Sequence, residues 1–130
     1  MAHHLAGCSC GAIRLKATGA PLRVGICHCL DCRKHHGALF YAAAIFDENA
    51  VEISGTSAEY KGRHVCPACG ASVFARTGRE IEIHLGSFDT PDAFVPTYEC
   101  WTIRRERILA PLPGAAQFEH DRTDVTQTES

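Results

Sequence analysis

Cys8-Ser9-Cys10-Gly11, Cys27-His28-Cys29-Leu30-Asp31-Cys32-Arg33 and Cys66-Pro67-Ala68-Cys69-Gly70 hold seven of the eight cysteines of this 130-residue chain, and Cys100 stands apart. In a Cys-x-Cys or a Cys-x-x-Cys the two sulfurs can reach one ion, at Zn–S distances of about 2.3 Å. Gly11 and Gly70 suit that duty, because a residue free to take positive φ lets the chain curl and turn backbone N–H groups toward the sulfurs. Pro67 stiffens the last of the three turns. Seven clustered thiols do not divide into two sets of four. A closed structural zinc takes four ligands and leaves three, and three protein ligands plus an open position is the arrangement of a reactive zinc. The simplest division keeps Cys27, Cys29 and Cys32 together and pairs Cys8 and Cys10 with Cys66 and Cys69 across the fold. From spacing alone, His28, His35, His36 or Cys100 can still complete the three-thiol site and close it.

Other uses of the thiols fit less well. A disulfide framework belongs to small domains in oxidising compartments. This chain, at 14.1 kDa, is one domain long enough to bury roughly two thirds of its unfolded surface without staples. A thioredoxin-type pair needs a strand feeding a long helix, which neither Cys29/Cys32 nor Cys66/Cys69 has. An iron–sulfur cluster remains open on ligand type.

Outward from the cysteines, the chain reads as short strands. Ala12 to Ala17 alternates apolar and polar, Pro21 to Ile26 does the same and delivers the chain to Cys27, and Ala38 to Phe46 is a nearly continuous apolar run that reads as a buried strand. Further strands are expected at Val51–Ile53, Ala58–Lys61, Ser72–Ala75, Glu80–Leu85 and Tyr98–Ile103, separated by glycine turns. Leu30 to Gly37 is expected to make one helical turn, and Asp89 before Thr90-Pro91 reads as a helix N-cap. His3 and His4 read as a frayed start. The whole is a mainly β domain with little helix over residues 1–118, followed by a polar tail over 119–130 that reads as frayed.

Hydrophobic residues make up 45% and charged residues 22%, ordinary for a globular chain. The net charge of −2 and the scattered basic residues give no footprint for nucleic acid or an anionic membrane. With no signal-like start and no long apolar segment, a soluble cytoplasmic protein with reduced thiols is expected, and its oligomeric state is not legible.

Three thiolates on Zn²⁺ make a centre of charge −1, a poor activator of water. An incoming thiol at the open position is held as thiolate and stays nucleophilic toward a small carbonyl. Arg33, Lys34, His35 and His36 follow the third ligand, and the first three are expected to bind the carboxylates of such a thiol. His28 is expected to point away from the metal, and Cys100 and Trp101 to form core or pocket wall.

Gly7-Cys8-x-Cys10-Gly11, Cys27-His28-Cys29-x-x-Cys32-Arg33, Cys66-Pro67-x-Cys69-Gly70 and Gly86-Ser87-Phe88-Asp89, in that order, resemble the glutathione-dependent formaldehyde-activating enzymes, whose domain is shared with centromere protein V. The resemblance implies an Mss4-like fold of small β-sheets, a structural zinc on Cys8, Cys10, Cys66 and Cys69, and a catalytic zinc on Cys27, Cys29 and Cys32. It also implies carbon–sulfur lyase chemistry, in which glutathione and formaldehyde interconvert with S-hydroxymethylglutathione.

Overall fold

The computed structural model describes residues 1–123. In chain order it runs β1 (His3–Gly7), β2 (Arg14–Thr18), β3 (Arg23–Cys27), the helix α1 (Leu30–His36), β4 (Tyr41–Asp47), β5 (Val51–Ser54), β6 (Ala58–Tyr60), β7 (Arg63–Val65), β8 (Ser72–Thr77), β9 (Glu80–His84), β10 (Tyr98–Cys100) and β11 (Ala116–Gln117). The protein is mainly β, as the strand-length apolar pieces require. A three-stranded antiparallel sheet has the order β1-β2-β5, and an eight-stranded sheet the order β11-β10-β3-β4-β9-β8-β7-β6.

The alternation in β2 buries Leu15 and Ala17 and leaves Arg14, Lys16 and Thr18 half-buried. In β4 four consecutive residues, Ala43 to Phe46, are buried, because this strand lies inside the large sheet between β3 and β9 and is covered on both faces. One apolar cluster joins Ala6, Ile13, Leu15 and Ala17 at the small sheet to Val24, Ala44, Phe46, Val73, Phe74, Ile81 and Ile83 of the large one. Each large aliphatic or aromatic side chain in it contributes about 1.5–3 kcal/mol. Cys8 and Cys66 belong to the same cluster, so the sulfurs sit at the edge of the core.

Several elements differ from expectation. Residues 3–7 are paired rather than frayed, in register with β2 from His3↔Thr18 to Gly7↔Arg14, and Ala6 is fully buried. The β4 strand begins only at Tyr41, and Leu39 and Phe40 remain exposed. The strand expected over Tyr98–Ile103 stops at Cys100, where Trp101 takes φ 55° and starts a short 3₁₀ turn over Thr102–Arg104. Asp89 caps no helix. It forms a two-pronged ion pair with Arg14, at 3.1 and 2.5 Å, and its N–H donates to the Leu5 carbonyl. Strands β7 and β11 are too short to carry a pattern of their own. At the start of the expected tail, the His120 carbonyl accepts from the Trp101 backbone N–H and Asp121 from the Trp101 indole. The remainder of the tail, 124–130, lies outside the described residues.

Candidate metal centres

Two turns of the same shape bring the first and third cysteine motifs together. In one, the Cys8 N–H bonds the Ile13 carbonyl, the Gly11 N–H bonds the Cys8 carbonyl, and the Ile13 N–H donates to Cys8 Sγ at 3.2 Å. In the other, the Cys66 N–H bonds the Ala71 carbonyl, the Gly70 N–H bonds the Cys66 carbonyl, and the Cys69 N–H faces Cys66 Sγ at 3.5 Å. Gly11 at φ 82° and Gly70 at φ 78° occupy the left-handed positions that close these turns. The sulfurs of Cys8, Cys10, Cys66 and Cys69 all lie within 4.8 Å of one another. Both Cys8–Cys10 and Cys10–Cys66 are 3.7 Å apart. A tetrahedron with sulfurs about 2.3 Å from its centre has edges of about 3.8 Å, so the set has the dimensions of a closed Zn(Cys)₄ site.

The charges agree. The Ile13 N–H holds the Cys8 thiol down at about 6, while Cys10, although drawn down by the Ala12 backbone, is pushed up to about 11 by Cys66 and Cys8. Four thiols this close cannot all ionise unless a cation shares the site, and a dication is the group that removes the conflict.

The middle motif forms a second centre. Cys27 ends β3, Cys29 caps α1, with its Sγ 3.3 Å from the Cys32 N–H, and Cys32 lies in the first helical turn. Their three sulfurs also lie within 4.8 Å of one another. All three thiols are raised: Cys27 foremost by the neighbouring Cys100 thiol, Cys32 by Cys27, and Cys29 by burial. Cys27 and Cys32 open into a cavity of about 360 Å³ shared with Tyr41, Glu82, Tyr98, Cys100, Arg23 and Arg122. Cys100 enters because β10 runs parallel to β3 with Cys100 opposite Cys27. It touches Cys27 yet lies outside the set of three mutually close sulfurs.

The cationic segment after Cys32 divides. Arg33 is tied to Glu106 at 2.6 Å and to the Arg104 carbonyl. Lys34 and His35 line a separate groove with Asp31 and Arg63, and Arg63 reaches to 3.9 Å from Cys32 Sγ. His28 turns away from the thiols, as its place between two of them suggested, and is buried with Nε2 2.7 Å from Glu99 Oε1. Glu99 Oε2 accepts from the Leu112 N–H and from Gln117, with Arg105 3.5 Å away. Sequence reasoning missed Glu99, Arg63, Tyr41 and Glu82. Only the alternation of Tyr98-Glu99-Cys100, which aims Glu99 to the face opposite its neighbours, hints at one of them.

With both cysteine sets in place, one comparison is decisive: the family described as glutathione-dependent formaldehyde-activating enzyme matches residues 3–104. The chain belongs to the glutathione-dependent formaldehyde-activating enzyme family. No curated protein matches the chain at a significant level. The family match takes in all seven clustered cysteines and Cys100, and the mainly β architecture is the one the family resemblance implies. Among the described residues no helix is long and apolar enough to cross a membrane.

Proposed function

We propose that this protein is a zinc-dependent carbon–sulfur lyase-type enzyme that joins a glutathione-like thiol to a small aldehyde such as formaldehyde, and reverses the reaction. It carries two zinc ions per chain in this reading. Cys8, Cys10, Cys66 and Cys69 hold the structural ion, and Cys27, Cys29 and Cys32 the reactive one. The observation that carries the proposal is the count of mutually close sulfurs, four in one centre and three in the other, with the smaller set opening into a cavity. A cytoplasmic setting suits it, because the thiols and their substrate stay reduced there.

When bound at Cys27, Cys29 and Cys32, zinc supplies a position where an incoming thiol is held as thiolate. The protein's own groups do the rest. Lys34 and Arg63 border the groove beside Cys32, so a carboxylate of the thiol substrate meets cations there, while Arg23, on the cavity beside Cys27, is paired with Glu80 at 2.6 Å. In the joining direction the C–S bond forms, the carbonyl π bond breaks, and the thiol proton finishes on the former carbonyl oxygen. Tyr41, whose hydroxyl donates to Glu82 on the cavity wall, is the group through which that proton passes. Tyr41→Phe is expected to slow the exchange about 10²-fold. NMR exchange spectroscopy of the formaldehyde–glutathione equilibrium tests the activity. Faster exchange with zinc-loaded protein supports it, and an unchanged rate at stoichiometric protein removes it.

A second reading has one observation in its favour, the contact between Cys100 and Cys27. A fourth thiolate from Cys100 would close the centre and make the protein a non-catalytic zinc module for folding or partner binding. Retained thiol exchange in Cys100→Ala, with two zincs still bound, excludes that reading.

A further inference from the structure

A second cavity, of about 680 Å³, is lined by His36, Tyr41, Ser72 and His84 and borders Cys8, and neither histidine is assigned to a zinc centre. Helix α1 sets His36 four residues beyond Cys32 and so on the same helix face, one turn along. His84, at the end of β9, lies opposite Ala43 and brings its ring to 4.3 Å from that of His36, at 73°. The Tyr41 ring packs 5.1 and 5.2 Å from the two. His84 is only 5% exposed, and the Nε2 atoms of both His36 and His84 are buried with no hydrogen-bond partner.

Orphaned buried nitrogens are costly, about 1–3 kcal/mol each, and two on rings whose centres are 4.3 Å apart are within reach of a shared partner. A bridging water would need about 2.9 Å to each nitrogen. A first-row dication sits nearer, at about 2.0–2.1 Å. The surroundings fit such an ion. His84 Nδ1 is 3.3 Å from Ser72 Oγ, which is itself 2.9 Å from His35 Nε2, so the far side of the ring is held, and a donating Nδ1–H leaves the lone pair on Nε2. Metal-binding histidines are oriented in this way. Burial, reinforced by the neighbouring histidines and by the Arg63 cation, lowers His36 to about 4 and His84 to about 3, so both rings are neutral near pH 7.

We propose that His36 Nε2 and His84 Nε2 form a third metal site, for an exchangeable divalent ion of the zinc class. No third His, Cys, Asp or Glu ligand joins them among the described residues, so the remaining positions fall to water or to an oxygen ligand in the cavity. With two protein ligands against three and four thiolates, this site fills last.

The test adds zinc chloride to protein already saturated at its thiolate centres, with calorimetry and heteronuclear NMR of the histidine rings. The expected result is a saturable further equivalent that shifts the ring nitrogens of His36 and His84, with binding weakened at least about tenfold by His36→Gln and by His84→Ala. Zinc content at the thiolate centres shows that each variant is folded. His84→Gln replaces His84→Ala if the latter loses that zinc. The proposal is overturned by the absence of a saturable further equivalent, by shifts confined to other histidines, or by equal binding in the folded variants. The first outcome would leave the two rings as an aromatic edge-to-face contact only. None of these outcomes depends on thiol exchange.

Discussion

At the scale of single residues, the two cysteine sets have separate consequences because one is anchored in the core through Cys8 and Cys66, with Cys10 and Cys69 exposed, and the other is half-buried with Cys27 and Cys32 on a cavity. Cys66 is fully buried. Removing it takes a thiol from the set proposed to hold the structural ion, whose binding energy would be folding energy, on the order of 10 kcal/mol in small metal domains, so Cys66→Ser is expected to lose cooperative thermal unfolding in circular dichroism. Cys29→Ser is expected to fold, to bind one zinc fewer by metal analysis, and to show no thiol exchange. Glu99 is a third kind of residue, a buried carboxylate that positions the thiol loop through His28. Burial alone would raise its pKa, but the Leu112 N–H, His28, Gln117 and Arg105 outweigh that and hold it at about 2. A depressed carboxylate stabilises the fold above its unfolded value and loses that contribution as pH falls through the folded one. The drop from 4.5 to about 2 corresponds to stability on the order of 3 kcal/mol, present above about pH 4.5 and lost toward pH 2. Urea unfolding measured across that window should lose this pH dependence in Glu99→Gln.

At the scale of elements, the parallel pairing of β3 with β10 builds the cavity beside Cys27 and Cys32. A Cβ added at Gly25 would lie 2.1 Å from the Tyr98 ring, too close to be accommodated without displacing that side chain from the wall of the cavity. Gly25→Ala is therefore expected to cost about 1–3 kcal/mol in chemical denaturation and to weaken zinc at Cys27, Cys29 and Cys32 more than at the four-cysteine site. This pairing was not legible in the sequence. Periodicity marks a strand and its buried face, as it did for β2, β3 and β9, but a partner some seventy residues away leaves no local signal. Short edge strands were missed for a related reason: β1 buries Ala6 alone, and β11 spans two residues. Cysteine spacing carried farther, because four sulfurs that must surround one ion impose a distance constraint between residues 8–10 and 66–69. Polar residues recruited by the fold, such as Arg63 beside Cys32 and Glu82 beside Tyr41, carried no such constraint and went unseen.

At the scale of the whole molecule, the family match ends at 104 while the buried shell around Glu99 draws on Arg105, Leu112 and Gln117. The segment after the match is thus part of the device that positions His28 and, with it, the three-thiol loop. A chain ending at Arg104 is expected to keep zinc at the four-cysteine site poorly and at the three-cysteine site not at all, as read by metal content of the purified protein. The two sheets, the core between them and both thiol centres form one structure, and the proposed function requires of it a closed four-sulfur ion and an open three-sulfur ion. Cadmium NMR of the protein loaded with cadmium in place of zinc reads the two environments separately. Two resonances are expected, one at the position of an all-sulfur site and one displaced by a single oxygen ligand, with only the second moving when a thiol is added. Two all-sulfur resonances, neither responding to thiol, would contradict the proposed function.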